Sequence, residues 1–221
     1  MATTKAQRIG IWVIAAFMAV GTIGSFAIIV LANSNSQKDQ ARFNELSQQH
    51  QKATEERQAK VDAQTKALSD KYYPTFSQYA SRPATFDKTS VTELKTEDLA
   101  VGTGETLTDQ STFTAYYIGW TPDGNVFDSS ISDGALKTPI TAAPGDVIKG
   151  WTQGVAGMKV GGVRELTIPS DLAYGEAGGG DSIPANTPLK FVVMVIPTPE
   201  EIPEVAVPNE LNDLYRRLYA N

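Results

Sequence analysis

"STFTAYYIGWTPDGNVFDSS", residues 111–130, decides the fold. In its first half Phe113, Ala115 and Tyr117 alternate with Thr112, Thr114 and Tyr116. A period of two predicts a half-buried strand, because successive side chains point to opposite faces. Pro122-Asp123-Gly124 then signals a turn. Val126, Phe127 and Asp128 follow, with two serines behind them. An aromatic beside a carboxylate fits a core ring with a loop-capping acid; it equally fits a site with an apolar face and a polar edge.

Working outward, "VRELTI" (163–168) and "LKFVVMVI" (189–196) are further strand candidates. The second puts Leu189, Phe191, Val193 and Val195 on one face. Pro144-Gly145-Asp146 and Gly161-Gly162 mark turns between them. One short internal helix is expected over Trp151–Met158, despite Gly154 and Gly157. Several strands and one short helix predict an α+β domain whose sheet wraps that helix. The glycine clusters "GTG" (102–104) and "GGGDS" (178–182) lack the residues that complete a dinucleotide or phosphate-binding loop, and read as turns.

The totals narrow the chemistry. The chain has 221 residues, no cysteine and one histidine, His50, in a Gln-rich stretch that reads as a solvated helix face. Disulfides, thiolate metal sites and a Ser-His-Asp triad in the β domain are excluded. A net charge of −6 argues against nucleic acid as a partner. Acidic residues outnumber basic ones in residues 90–197, and the reverse holds in residues 1–89.

The front of the chain is different in kind. Ile9–Ala32 is an uncharged run of 24 residues, long enough as a helix to cross a bilayer core of about 30 Å. Val30 and Ala32 resemble a signal-cleavage site, but the run is much longer than a signal core. It is therefore expected to be a membrane anchor. The basic tail with Lys5 and Arg8 predicts a cytoplasmic N-terminus and an extracytoplasmic domain. Residues 36–72 are rich in Gln, Lys, Glu and Ala and predict a long helix, with Glu56–Lys60 and Asp62–Lys66 as i,i+4 pairs. Val61 and Leu68 lie a heptad apart, yet Thr54 and Ser47 interrupt the seam. A solvated stalk and a weak homodimer through the stalk both fit. Pro74 is expected to end this helix, within the aromatic cluster Tyr72, Tyr73, Phe76 and Tyr79.

The expected organisation is a transmembrane signal anchor (1–35), a helical stalk (36–73), a linker (74–89), the β domain (90–197) and a Pro-rich tail (198–221). Asn209 can cap a last helix with Leu211, Leu214, Tyr215 and Leu218 as its stripe. Docking on its own domain or stalk and binding a partner both fit that stripe.

Five fragments carry a resemblance: "YYIGW" (116–120), "DGNVFDSS" (123–130), "GDVIKGWTQGVAGMKVGG" (145–162), "LTIPSDLAYG" (166–175) and "IPANTPLKFVVMV" (183–195). In this order and spacing they resemble the FKBP-type peptidyl-prolyl isomerase family over residues 90–197. The resemblance implies a curved antiparallel sheet wrapped over one short helix, with an apolar pocket between. It implies catalytic roles for Tyr117, Phe127, Asp128, Trp151 and Tyr174. Substrate would also meet Val147 and Ile148 at the rim, Ile183 on the opposite wall and Phe191 beneath, with the Ile148 N–H receiving a carbonyl.

An X–Pro bond turns over a barrier of about 18–20 kcal/mol set by amide resonance. No metal, nucleophile or cofactor is therefore required. The expected partners are proline-containing polypeptides, and the expected role is help in folding exported or surface proteins. A proline-recognising chaperone or binding module with little turnover is the alternative. Thr138, Gly179 and Ser182 depart from the family pattern by thinning the rim, with Ile140 the only apolar group near Thr138. Weaker binding of bulky macrolides such as rapamycin is expected from that.

Overall fold

The computed structural model describes residues 34–219. They fall into two compact units: residues 61–201, and the residues before 61 together with those from 202 onward. The expected anchor at 9–32 lies outside the described residues. No helix among the described residues is long and apolar enough to cross a membrane.

Helix α1, Ser34–Phe76, contributes to both units. Its composition explains its length, since no glycine interrupts it and its first 40 residues hold no proline. Its exposed ion pairs include Lys52 with Glu56 at 3.9 Å and Lys66 with Asp70 at 2.7 Å. Contrary to expectation, the helix does not stop at Pro74 but runs on to Phe76. Proline removes one N–H from the helix ladder. Phe76 outweighs this, because its ring is wholly buried and fixes the last turn on the sheet.

In the unit holding the first part of α1, the chain after residue 202 is held by Arg57. Its guanidinium donates to the Pro203 carbonyl at 2.9 Å and to the Glu204 carboxylate at 2.5 Å. Helix α2 of the sheet unit and the final helix α3 are Lys149–Val155 and Asn209–Tyr219. Leu211, Leu214 and Leu218 of α3 pack on Phe43 and Leu46 of α1. Arg42 clasps Glu210 through two bonds of 2.8 and 3.0 Å. The last helix is thus docked on the stalk. Tyr215, expected in the stripe, is exposed instead. The stalk is not solvated all round, and His50 is half-buried with its Nδ1 enclosed and unpartnered among the described residues.

The sheet unit holds β1 (Lys95–Ala100), β2 (Phe113–Trp120), β3 (Val126–Ser129), β6 (Ile140–Ala142), β7 (Val163–Ile168) and β8 (Leu189–Ile196). All pairings are antiparallel, in the order β1-β7-β8-β2-β3, with β6 also on β2. β4 (Ile131–Ser132) and β5 (Ala135–Leu136) form a separate two-stranded ribbon. β1 carries no sequence signal of a half-buried strand, because it is a charged edge strand of the kind that resists further pairing.

One face of the sheet carries Phe113, Ala115, Leu166, Ile168, Leu189, Phe191, Val193 and Val195, packed with Trp151 and Val155 of α2. The half-buried reading of β2 is corrected by the other face. There Tyr116, Ile118 and Trp120 are buried with Val192, Met194 and Ile196 beneath Phe76, Leu68, Tyr72 and Tyr73 of α1. These rings are too large and too apolar to leave in water. Helix α2 also differs from the expected Trp151–Met158, starting two residues earlier. It ends at Val155 because the Ala156 backbone is extended, at φ −58° and ψ 135°.

Candidate active site

Each wall of the site is held by a local device. Trp151 sits in the first turn of α2, which lies close on β7. A Cβ at Gly150 would come within 2.2 Å of Ile168, and one at Gly154 within 2.8 Å of Leu166. Both glycines therefore act as close-approach positions and set the depth of the tryptophan. The far end of α2 is pinned by Arg164, which donates to the Gly154 and Ala156 carbonyls at 2.8 and 3.0 Å. The same guanidinium meets Asp98 of β1 at 2.6 Å and holds that carboxyl below its ordinary pKa.

Around Trp151 stands an aromatic box. Tyr117 and Phe191 meet it edge-on, each with ring centroids 5.3 Å away, and Phe113 stacks at 6.1 Å. Phe127 meets Phe191 edge-on at 5.5 Å. Such geometries match the ring quadrupoles. Gly119 makes room for them: a Cβ there would lie 2.6 Å from the Phe191 ring and 2.7 Å from that of Phe127.

The polar edge follows from "FDSS". The Tyr117 hydroxyl donates to Asp128 Oδ2 at 2.5 Å, and the Ser129 N–H donates to Oδ1 at 2.8 Å. Ser130, buried, accepts the Tyr117 N–H on its hydroxyl at 2.9 Å and returns its own N–H to the Tyr117 carbonyl at 2.8 Å. Asp128 is therefore fixed beside Tyr117 from both sides. Burial raises the Tyr117 pKa well above the ordinary phenol value, helped by the Asp128 hydrogen bond and charge. Burial and the Asp128 charge raise Tyr174 as well. Both hydroxyls remain protonated, as donors, at any physiological pH.

Ile183 is buried in the core cluster that holds Trp151 and Phe191, and Val147 and Ile148 pack against that cluster half-buried. The Ile148 carbonyl accepts the Trp151 N–H at 2.9 Å, while its N–H donates to no acceptor among the described residues. Tyr174 is 41% exposed and lies beside Gly179, whose N–H donates to the Ile183 carbonyl at 2.8 Å. Seven of the nine residues expected from the sequence lie in or against this one core cluster; Asp128 is joined to it by the Tyr117 hydroxyl, and Tyr174 lies beside Gly179. Phe113, Gly119 and Ser130 were not anticipated. Phe113 shares the alternation of Tyr117 and carried a readable signal; the other two became visible only through contacts. Of the departures, Thr138 bonds through its hydroxyl to Thr65 of α1 at 3.0 Å, Ile140 is half-buried against the core, and Ser182 is exposed.

The site thus joins an antiparallel sheet, one short helix, an aromatic box and a tyrosine–carboxylate edge. The family model for FKBP-type peptidyl-prolyl cis-trans isomerase matches residues 103–196. An FK506-binding protein of Neisseria meningitidis serogroup A is 44% identical over 100 residues, 45% of this chain and 91% of that protein. FK506-binding protein 4 of Dictyostelium discoideum is 48% identical over 105 residues, 47% of this chain but 28% of that longer protein. A longer match, 34% identical over 177 residues, covers 79% of this chain and 61% of the probable FKBP-type peptidyl-prolyl cis-trans isomerase FkpA of N. meningitidis serogroup B. The chain belongs to the FKBP-type peptidyl-prolyl cis-trans isomerase family, and isomerase is its class of enzyme.

Proposed function

We propose that the chain is a membrane-tethered isomerase that accelerates X–Pro rotation in exported or surface proteins. Phe127, Trp151 and Phe191 receive the proline ring, with Val147 and Ile183 as flanking walls. Tyr117, Asp128 and Tyr174 fix the polar edge, and the Ile148 N–H receives a flanking carbonyl. The twisted amide has lost its resonance and is less polar than the planar one. A dry aromatic box therefore favours it over the ground state, and that difference is what lowers the barrier. Cis and trans differ by only about 0.5–1 kcal/mol, so the enzyme changes the rate and leaves the equilibrium alone.

The observation that carries this reading is the 2.5 Å bond from Tyr117 to Asp128 directly beside the Trp151 ring. It puts a fixed polar pair at the lip of an apolar box, which is the pattern of the substrate itself. NMR exchange on a Leu-Pro peptide tests it, with Trp151→Ala beside the wild type. Acceleration that falls in the variant supports the reading. A folded protein that binds the peptide without accelerating exchange favours the binding module instead, for which the open rim at Thr138, Gly179 and Ser182 speaks.

The tether rests on the uncharged run Ile9–Ala32 and on Lys5 and Arg8 before it. On this reading the domain lies outside the cytoplasm and the N-terminus inside. Alkaline extraction of membranes and protease digestion of intact cells test both; release by alkali, or protection of the domain in intact cells, counts against them. A weak homodimer through Val61 and Leu68 of the stalk stays the alternative to a solvated stalk, with Leu68 already packed in part within the chain.

A further inference from the structure

We propose that the last turns of α1 are a positioning element of the isomerase site, with Ser69 as the positioning residue. The inference rests on the isomerase reading above. It begins with the small ribbon β4–β5. Two strands of two residues each are marginal alone, and this ribbon joins no ladder of the main sheet. Something else must hold it in place, and the helix does. Ser69 is buried, and its hydroxyl accepts the Leu136 N–H at 2.8 Å. Leu136 is itself buried among the aromatic residues at the end of α1. Four residues before Ser69, the Thr65 hydroxyl meets Thr138 at 3.0 Å.

The ribbon passes this constraint to the site through Lys137. Its N–H donates to the Ser130 carbonyl at 2.9 Å, and its ammonium donates to the Ser129 carbonyl at 2.7 Å. Ser129 also accepts the Ile131 N–H on its hydroxyl at 3.0 Å. Ser129 and Ser130 are the two residues that fix Asp128 and the Tyr117 backbone. An unbroken path of hydrogen bonds and short chain segments thus runs from Ser69 to the Tyr117–Asp128 pair. Removing the Ser69 hydroxyl leaves the Leu136 N–H buried and unpaired, which favours movement of the ribbon toward water or another acceptor. A displacement of about 1 Å at a catalytic group costs up to roughly a hundredfold in rate.

The test uses the full chain solubilised in mild detergent, with exchange kinetics read at a temperature where every variant is folded. Ser69→Ala is expected to lower kcat by about tenfold with KM nearly unchanged, and Ser69→Thr, which keeps the hydroxyl, to restore most of it. The Tyr117 and Ser130 amide resonances should shift in Ser69→Ala alone. Equal loss in both variants, or kcat within twofold of wild type in Ser69→Ala, overturns the proposal. Should Ser69→Ala fail to fold, Thr65→Val decides. That half-buried change is expected to raise KM about threefold by freeing the Thr138 rim, and unchanged kinetics overturn the proposal. If wild type itself shows no acceleration, the isomerase reading has failed, and the amide shifts still report whether the ribbon is coupled to α1.

Discussion

Phe76→Ala separates a sheet domain that merely follows a stalk from one that contains the end of it. Phe76 lies well before residue 103, where the family match begins. Its ring is nevertheless 0% exposed, 6.3 Å from both Tyr79 and Tyr116, in the cluster over the outer face of the sheet. A residue in a solvated linker changes stability by no more than about 0.5 kcal/mol when replaced. Truncating a fully buried phenylalanine costs about 3–5 kcal/mol through lost transfer energy and the cavity left behind. The lower end, about 3 kcal/mol, sets the smallest effect expected. For a unit of this size each kcal/mol moves the melting point by about 2–4 °C, so a drop of roughly 6–12 °C follows from about 3 kcal/mol. Thermal unfolding of residues 34–221 followed by circular dichroism measures it, with Phe76→Leu expected to lose less than half as much. A shift below about 2 °C would refute the reasoning and return the stalk end to the role of a tether.

Three other outcomes follow. Tyr117→Phe and Asp128→Asn should each cut kcat/KM by about ten- to a hundredfold, the range of one hydrogen bond to a charged group, in the peptide exchange assay; losses below threefold would remove the pair from the mechanism. Gly119→Ala should push the Phe127 ring out of the box and reduce activity about tenfold while costing about 1–3 kcal/mol in urea unfolding; full activity would mean that Phe127 is a bystander. Burial, with Tyr72 nearby, raises the Tyr116 pKa to about 12 from 10.0. The unfolded chain then ionises first, so this contribution to stability is complete below pH 10 and is lost as pH rises towards 12; a melting point that stays level across that window would contradict the buried placement.

The strands β2, β7 and β8 were legible because alternation is a two-residue property that needs no knowledge of the partner strand. Motif order pointed to the site, whose nine residues span 75 positions from Tyr117 to Phe191, and seven of them lie in or against one core cluster. What escaped was whatever depends on a contact distant in sequence. Nothing local to Gly150 or Gly154 says that β7 lies against them. The edge strand β1 is polar because it has an outer side to protect, so it reads as loop. The burial of β2 on both faces was written in the sequence, since Tyr116, Ile118 and Trp120 are as bulky as the residues opposite. Their cover, the turn ending in Phe76, was hidden by Pro74, whose local penalty is outweighed by tertiary packing.

The two faces of β2 and its neighbours give the protein a pair of optical reporters. Trp120 sits under the end of α1, and Trp151 sits in the aromatic box on the other side of the sheet. With Trp12 changed to phenylalanine, the indole emission divides between these two places. A peptide that enters the box as proposed should disturb Trp151 and leave Trp120 dark to the event, whereas loosening of the helix end should disturb Trp120 first. Occupancy and the hold of the stalk thus become separately readable, in one cuvette and without a dye.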